Sequence, residues 1–140
     1  MYFICTHSNA IIKSPKTPIG LSSVGKPLSV RYEWENTLTN LHIDINEESL
    51  WRYASVLPKI KERVTLGEGF TPLIPISEKI FVKNETVNPT GSFKDRGMSL
   101  AISMAKEQKV ENICLPSAGN AGISAAAYSK EAGINCHVFL

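Results

Sequence analysis

No apolar run in this 140-residue chain is long enough to cross a bilayer, and no CxxC pair occurs anywhere in it. Its first residues, Met1 to Cys5, lack the basic start and long apolar core of a secretory signal. Residues 1–32 contain no aspartate or glutamate, a faint likeness to an organelle transit peptide. Cysteine is scarce: Cys5, Cys114 and Cys136 are an odd number without regular spacing. The last two sit in apolar, strand-like segments, the usual place of a small buried hydrophobe. Such usage argues against a disulfide scaffold and fits a reducing compartment, the cytoplasm. Cys5 and His7 are too few ligands for a metal site, so none is expected. A net charge of +2 is too small to argue for nucleic acid or an anionic membrane.

What is present is an ordinary globular composition, 43% apolar and 20% charged, in a chain the size of one domain. The pattern changes near residue 65. Residues 1–64 read as an irregular segment punctuated by Pro15, Pro18, Gly20, Gly25 and Pro27, with a strand-like run at Leu28–Trp34. Asn46 is placed to cap a short helix from Glu47 to Val56, which Pro58 closes. Residues 65–140 then alternate: strand Lys79–Lys83, helix Ser92–Lys109, strand Asn112–Leu115, helix Gly119–Ala132 ended by Gly133, strand Asn135–Leu140. The first of these helices carries Phe93, Gly97, Leu100, Ala101 and Met104 along one face. Strands alternating with helices predict an α/β fold with a parallel sheet. Such a sheet needs more than three strands and cover on both faces, so the pattern reads as the start of a larger domain.

The most informative stretch is Asn88-Pro89-Thr90-Gly91-Ser92-Phe93-Lys94-Asp95-Arg96-Gly97. Pro89 and Gly91 mark a turn, and Ser92 with Asp95 reads as a capping box. Lys94 then falls in the first helical turn, at the positive end of the dipole, where a nucleophilic amine is better placed than a cation. A lysine amine is what pyridoxal phosphate requires, since its aldehyde is carried on lysine as a Schiff base. Taken alone, Lys94 reads as a surface lysine near a helix start; its neighbours change that. A second segment reaches the same sheet edge: Ser117-Ala118-Gly119-Asn120-Ala121-Gly122, whose exposed N–H groups suit a carboxylate or phosphate. It also reads as a plain helix start with small residues for close packing. A third, Thr65-Leu66-Gly67-Glu68-Gly69-Phe70-Thr71-Pro72-Leu73, reads as a boundary loop without chemistry of its own.

In this order, and with Leu50-Trp51-Arg52-Tyr53 and Leu57-Pro58 upstream, these segments resemble the N-terminal part of the threonine synthases. Those enzymes belong to the tryptophan-synthase-beta-like group of pyridoxal-phosphate enzymes, and the resemblance covers about residues 25–140. It implies the first part of a three-layer parallel-sheet domain over 65–140, with 1–64 as a leading segment. Relatives often begin with a zinc-ribbon-like segment ahead of a Gly-x-Pro-Leu turn. Here Gly25-Lys26-Pro27-Leu28 matches the turn, while Ser8, Leu21 and Val24 stand where cysteines are expected, so a metal-free remnant is implied. That remnant accounts for the acid-poor start better than a transit peptide does. The resemblance further implies pyridoxal 5'-phosphate on Lys94, Phe93 beside it and Asn120 at its ring oxygen. Ser117, Gly119 and Ala121 are implied at the substrate carboxylate, and Ser92 and Arg96 at its phosphate, although Asp95 and Arg96 also fit capping and packing. The implied reaction converts O-phosphohomoserine and water to threonine and phosphate, in an enzyme for which a homodimer is admissible. A threonine dehydratase, a cysteate synthase and a fragment without turnover remain as alternatives. The family's later glycine-rich loop for the cofactor phosphate, and its partner for the pyridine nitrogen, lie outside these 140 residues.

Overall fold

The computed structural model describes residues 2–13, 19–32 and 43–140. They form two compact units, Met1–His42 and Ile43–Leu140.

In the first unit, β1 (Tyr2–Cys5) is the middle strand of an antiparallel sheet, between β2 (Ile11–Lys13) and β3 (Leu28–Arg31). The register pairs Phe3 with Ile12 on one side and with Val30 on the other. The expected strand beginning at Leu28 is β3, and Glu33 and Trp34 lie outside the described residues. Cys5 is fully buried. Its Sγ lies 3.3 Å from Ser22 Oγ and accepts from the Ser8 N–H at 3.4 Å. Those hydrogen bonds, that of Ser22 above all, bring the thiol down to about 6. Of the positions where ribbon cysteines are expected, Ser8 touches Cys5, and Leu21 and Val24 are exposed.

The second unit opens with a 3-10 helix over Leu50–Val56, a few residues later than Asn46 predicts. The Asn46 N–H is held by Asp44 Oδ1, and the cap is Ser49, whose hydroxyl accepts from Trp51 N–H. A hairpin follows, β4 (Leu73–Pro75) antiparallel to β5 (Phe81–Lys83). Then come α1 (Lys94–Glu107), β6 (Asn112–Pro116), α2 (Asn120–Ala132) and β7 (Asn135–Phe139). β6 and β7 pair in parallel, Cys114 opposite His137, with α2 as the crossover. Gly133 ends α2 in the left-handed region at φ 73°, as its position predicts.

Two expectations need correction. Of the three strands expected in a parallel sheet, only β6 and β7 share one among the described residues; β5 turns back on β4 instead. The connection of Ile76 to Ile80 is short enough only for antiparallel neighbours. The buried face of α1 is not the apolar stripe through Phe93, Gly97, Leu100, Ala101 and Met104. It is Asp95, Ser99, Ile102 and Ser103. The serines go inside because their hydroxyls serve the backbone of the segment crossing them. Ser99 donates to the Val64 carbonyl at 2.8 Å, and Val64 N–H donates to Ser103 Oγ at 2.7 Å. Trp51 Nε1 also donates to Ser99 Oγ. Val64, Ile102, Tyr128 and Ile134 form the apolar core beside this seam.

Candidate active site

The turn ahead of α1 is built from polar side chains. Gly91 takes φ 80°, a conformation that glycine adopts without steric cost. Ser92 is buried, and its Oγ accepts from Lys94 N–H at 3.3 Å. Asp95 does not close the expected capping box with Ser92. It is fully buried and accepts from Thr90 N–H at 2.7 Å, from the Thr90 hydroxyl and from Ser124 Oγ at 2.6 Å. The last bond fastens the first turn of α1 to α2, one turn from Asn120. The two helix starts that the sequence sends to one edge are thereby held together.

Lys94 itself is half-buried, with Nζ 4.6 Å from the centre of the Phe93 ring. Among the described residues no carboxylate pairs with it. Phe93 is largely exposed beside it. In the second segment, Ser117 Oγ accepts from Gly122 N–H at 2.9 Å and from Gly119 N–H at 3.3 Å. That leaves the N–H groups of Ala118, Asn120 and Ala121 without an acceptor among the described residues, and the Asn120 side chain is exposed. Gly122 serves packing: a Cβ there would lie 3.0 Å from Val138 Cγ1 and 3.2 Å from Ser117 Cβ.

Arg96, two residues beyond Lys94, projects elsewhere. Its guanidinium binds Glu85 at 2.7 and 2.8 Å and Thr71 Oγ1 at 3.1 Å. Arg96 holds the Glu85 carboxyl down to about 2, with help from Thr71 and Asn88 against the opposing effect of burial.

Sequence reasoning missed the role of the Gly67–Thr71 loop. Glu68 is fully buried and accepts from the Tyr128 hydroxyl at 2.7 Å, tying the loop to α2. Burial, then the Glu68 carboxylate, pushes the Tyr128 hydroxyl far above the ordinary phenol range. Gly69, at φ 97°, donates to Asn88 Oδ1, and a Cβ on it would lie 2.6 Å from Leu50 N. A buried-type acid between two glycines was the available signal; its partner 60 residues away was not.

The donor set fits pyridoxal phosphate: a lysine amine free of carboxylates, an exposed amide side chain and unsatisfied N–H groups at an adjoining helix start. Residues 64–140 match the family described as pyridoxal-phosphate dependent enzyme. The chain belongs to that family. It is also similar to threonine synthases: 45% identical over 106 residues to that of Halalkalibacterium halodurans, covering 66% of this chain and 30% of that one. The Methanosarcina acetivorans enzyme is 41% identical over 100 residues, 66% of this chain and 25% of its own. For Methanocaldococcus jannaschii the figures are 38% over 129 residues, 83% and 32%. The chain thus spans about a quarter to a third of the relatives it matches. The matched stretch takes in Lys94 and the Ser117–Gly122 segment. No helix among the described residues is long and apolar enough to cross a membrane.

Proposed function

We propose that this chain is the N-terminal portion of a threonine synthase, converting O-phosphohomoserine and water to threonine and phosphate. The observation that supports the reading is the Ser124–Asp95 hydrogen bond, which fastens the first turn of α1, where Lys94 lies, to α2. When bound, the cofactor supplies an electron sink for charge developing on substrate carbon. Lys94 Nζ would be its covalent anchor and would carry protons at the substrate's α and β carbons. Asn120, whose side chain is exposed, and Phe93, exposed beside Lys94, would help hold it. Ala121 N–H receives the substrate carboxylate, while Ser117 and Gly119 shape the loop through their mutual hydrogen bonds. Arg96 would have to leave Glu85 and Thr71 to reach a substrate phosphate, and Ser92 would have to release Lys94 N–H. In this reading both hold the turn.

The same reading makes residues 65–140 the first part of the catalytic domain and 1–64 its leading segment. β6 and β7 become members of a three-layer parallel sheet. A homodimer and a cytoplasmic setting belong to it as well. The test is borohydride trapping of pyridoxal phosphate on the chain, with peptide mapping. Label confined to Lys94 and lost in Lys94→Ala is expected; label scattered over other lysines, or none, sinks the reading for this chain. Substrate profiling of a protein carrying the whole domain separates threonine synthase from a dehydratase or a cysteate synthase.

A further inference from the structure

A cavity of about 330 Å³ opens in the Ile43–Leu140 unit, lined by Arg52, Tyr53, Phe70, Thr71, Lys83 and Arg96. It is a different place from the lysine edge, since neither Lys94, Ser92 nor any residue of Ser117–Gly122 lines it. Its charge is one-sided: three cations and no acid contribute to the wall. Two of the cations already have partners. Arg96 is held by Glu85, the nearby carboxylate, and Lys83 Nζ donates to the Thr71 carbonyl. Glu68 in the adjoining loop is taken up by Thr65, Leu66 N–H and Tyr128.

Arg52 is the exception. Its Nε is shielded from solvent and has no hydrogen-bond acceptor among the described residues. Its guanidinium is stacked 4.6 Å from the Phe70 ring centre and 5.8 Å from that of Tyr53. Phe70 reaches this position through a left-handed backbone, φ 48°, which costs an ordinary side chain about 1–2 kcal/mol. A shielded, unsatisfied donor on a cation is expensive unless something fills it. The planar fork of arginine matches the oxygens of a phosphate, and a cavity of this size admits one with a few further atoms.

We propose that this cavity is a phosphate-binding site separate from the lysine site, with Arg52 gripping the phosphate oxygens and Lys83 and Arg96 supplying a favourable field. The Tyr53 and Phe70 rings form its apolar wall. The site goes beyond the catalytic reading and does not depend on it.

The test is titration of the chain with inorganic phosphate, and separately with glycerol 3-phosphate, while following arginine Nε–H signals by 15N NMR. A saturable shift at Arg52 is expected. Its affinity should fall about tenfold or more in Arg52→Gln and persist in Lys94→Ala. Saturation by inorganic phosphate alone identifies a site for the free ion; saturation by the ester identifies one for a phosphorylated small molecule. Assigning the shifting signal to Arg52 in the unaltered chain needs no variant, so a poorly folded Arg52→Gln does not blunt the experiment. Shifts that stay linear at every arginine, affinity unchanged in a folded Arg52→Gln, or binding that disappears with Lys94 would each overturn the proposal.

Discussion

At the start of α1 the backbone donors are met: Lys94 N–H by Ser92 Oγ, Asp95 N–H by the Ser92 carbonyl and Arg96 N–H by the Phe93 carbonyl. At the start of α2 the N–H groups of Asn120 and Ala121 have no acceptor among the described residues. Both are helix N-termini with the same dipole and the same orphan groups. They differ in what the chain has spent on them. Around α1, buried polar groups fix one geometry, with Asp95 satisfying three donors. Around α2, small residues leave donors facing outward, which is the condition for receiving an anion. One start is a fixture and the other is open, and the Ser124–Asp95 bond ties α1 to α2.

The largest effect expected is on cofactor attachment. Lys94→Ala should abolish borohydride-trapped pyridoxal phosphate while leaving the circular dichroism spectrum unchanged. An unfolded variant would make Lys94 part of the fixture and erase the distinction. Next comes Asp95→Ala, which strands buried donors on Thr90 and Ser124 and should cost about 3 kcal/mol in urea unfolding. Asn120→Ala, at the open start, should stay within about 0.5 kcal/mol. Equal losses would show that both starts are structural.

Smaller still is Gly122→Ala, expected to destabilise by about 1–2 kcal/mol because the new methyl meets Val138 and Ser117. No loss in melting experiments would mean that β7 shifts freely away from α2. The smallest effect concerns pH. Glu85 sits at about 2 against an ordinary 4.5, so its ion pair stabilises the fold fully above pH 4.5. That contribution should fade as pH drops from 4.5 towards 2, amounting to about 1 kcal/mol after solvent screening. Glu85→Gln should remove this part of the acid dependence; an unchanged acid profile would mean that Arg96 does not hold Glu85 in solution.

Local signals were legible in the chain. The glycine after α2, the β6 and β7 segments and the placing of Lys94 in a first helical turn all rest on residues within a few positions of each other. The errors arose where local and distant partners compete. Asp95 stands three residues after Ser92, as a capping box requires, yet its carboxylate goes to Thr90 and to Ser124, 29 residues on. Leu100 and Ala101 follow helical spacing, yet Ser99 and Ser103 take the buried face because the Val64 backbone crosses there.

The sequence by itself determined the family, the place of Lys94 in a first helical turn and the two helix starts, because a turn, a cap and a short motif are satisfied by neighbours along the chain. Only the tertiary structure decided which polar groups are buried. Glu68 with Tyr128 and Arg96 with Thr71 are 60 and 25 residues apart. A buried polar group takes whichever donor or acceptor the folded chain brings within about 3 Å, and sequence spacing carries no record of that distance.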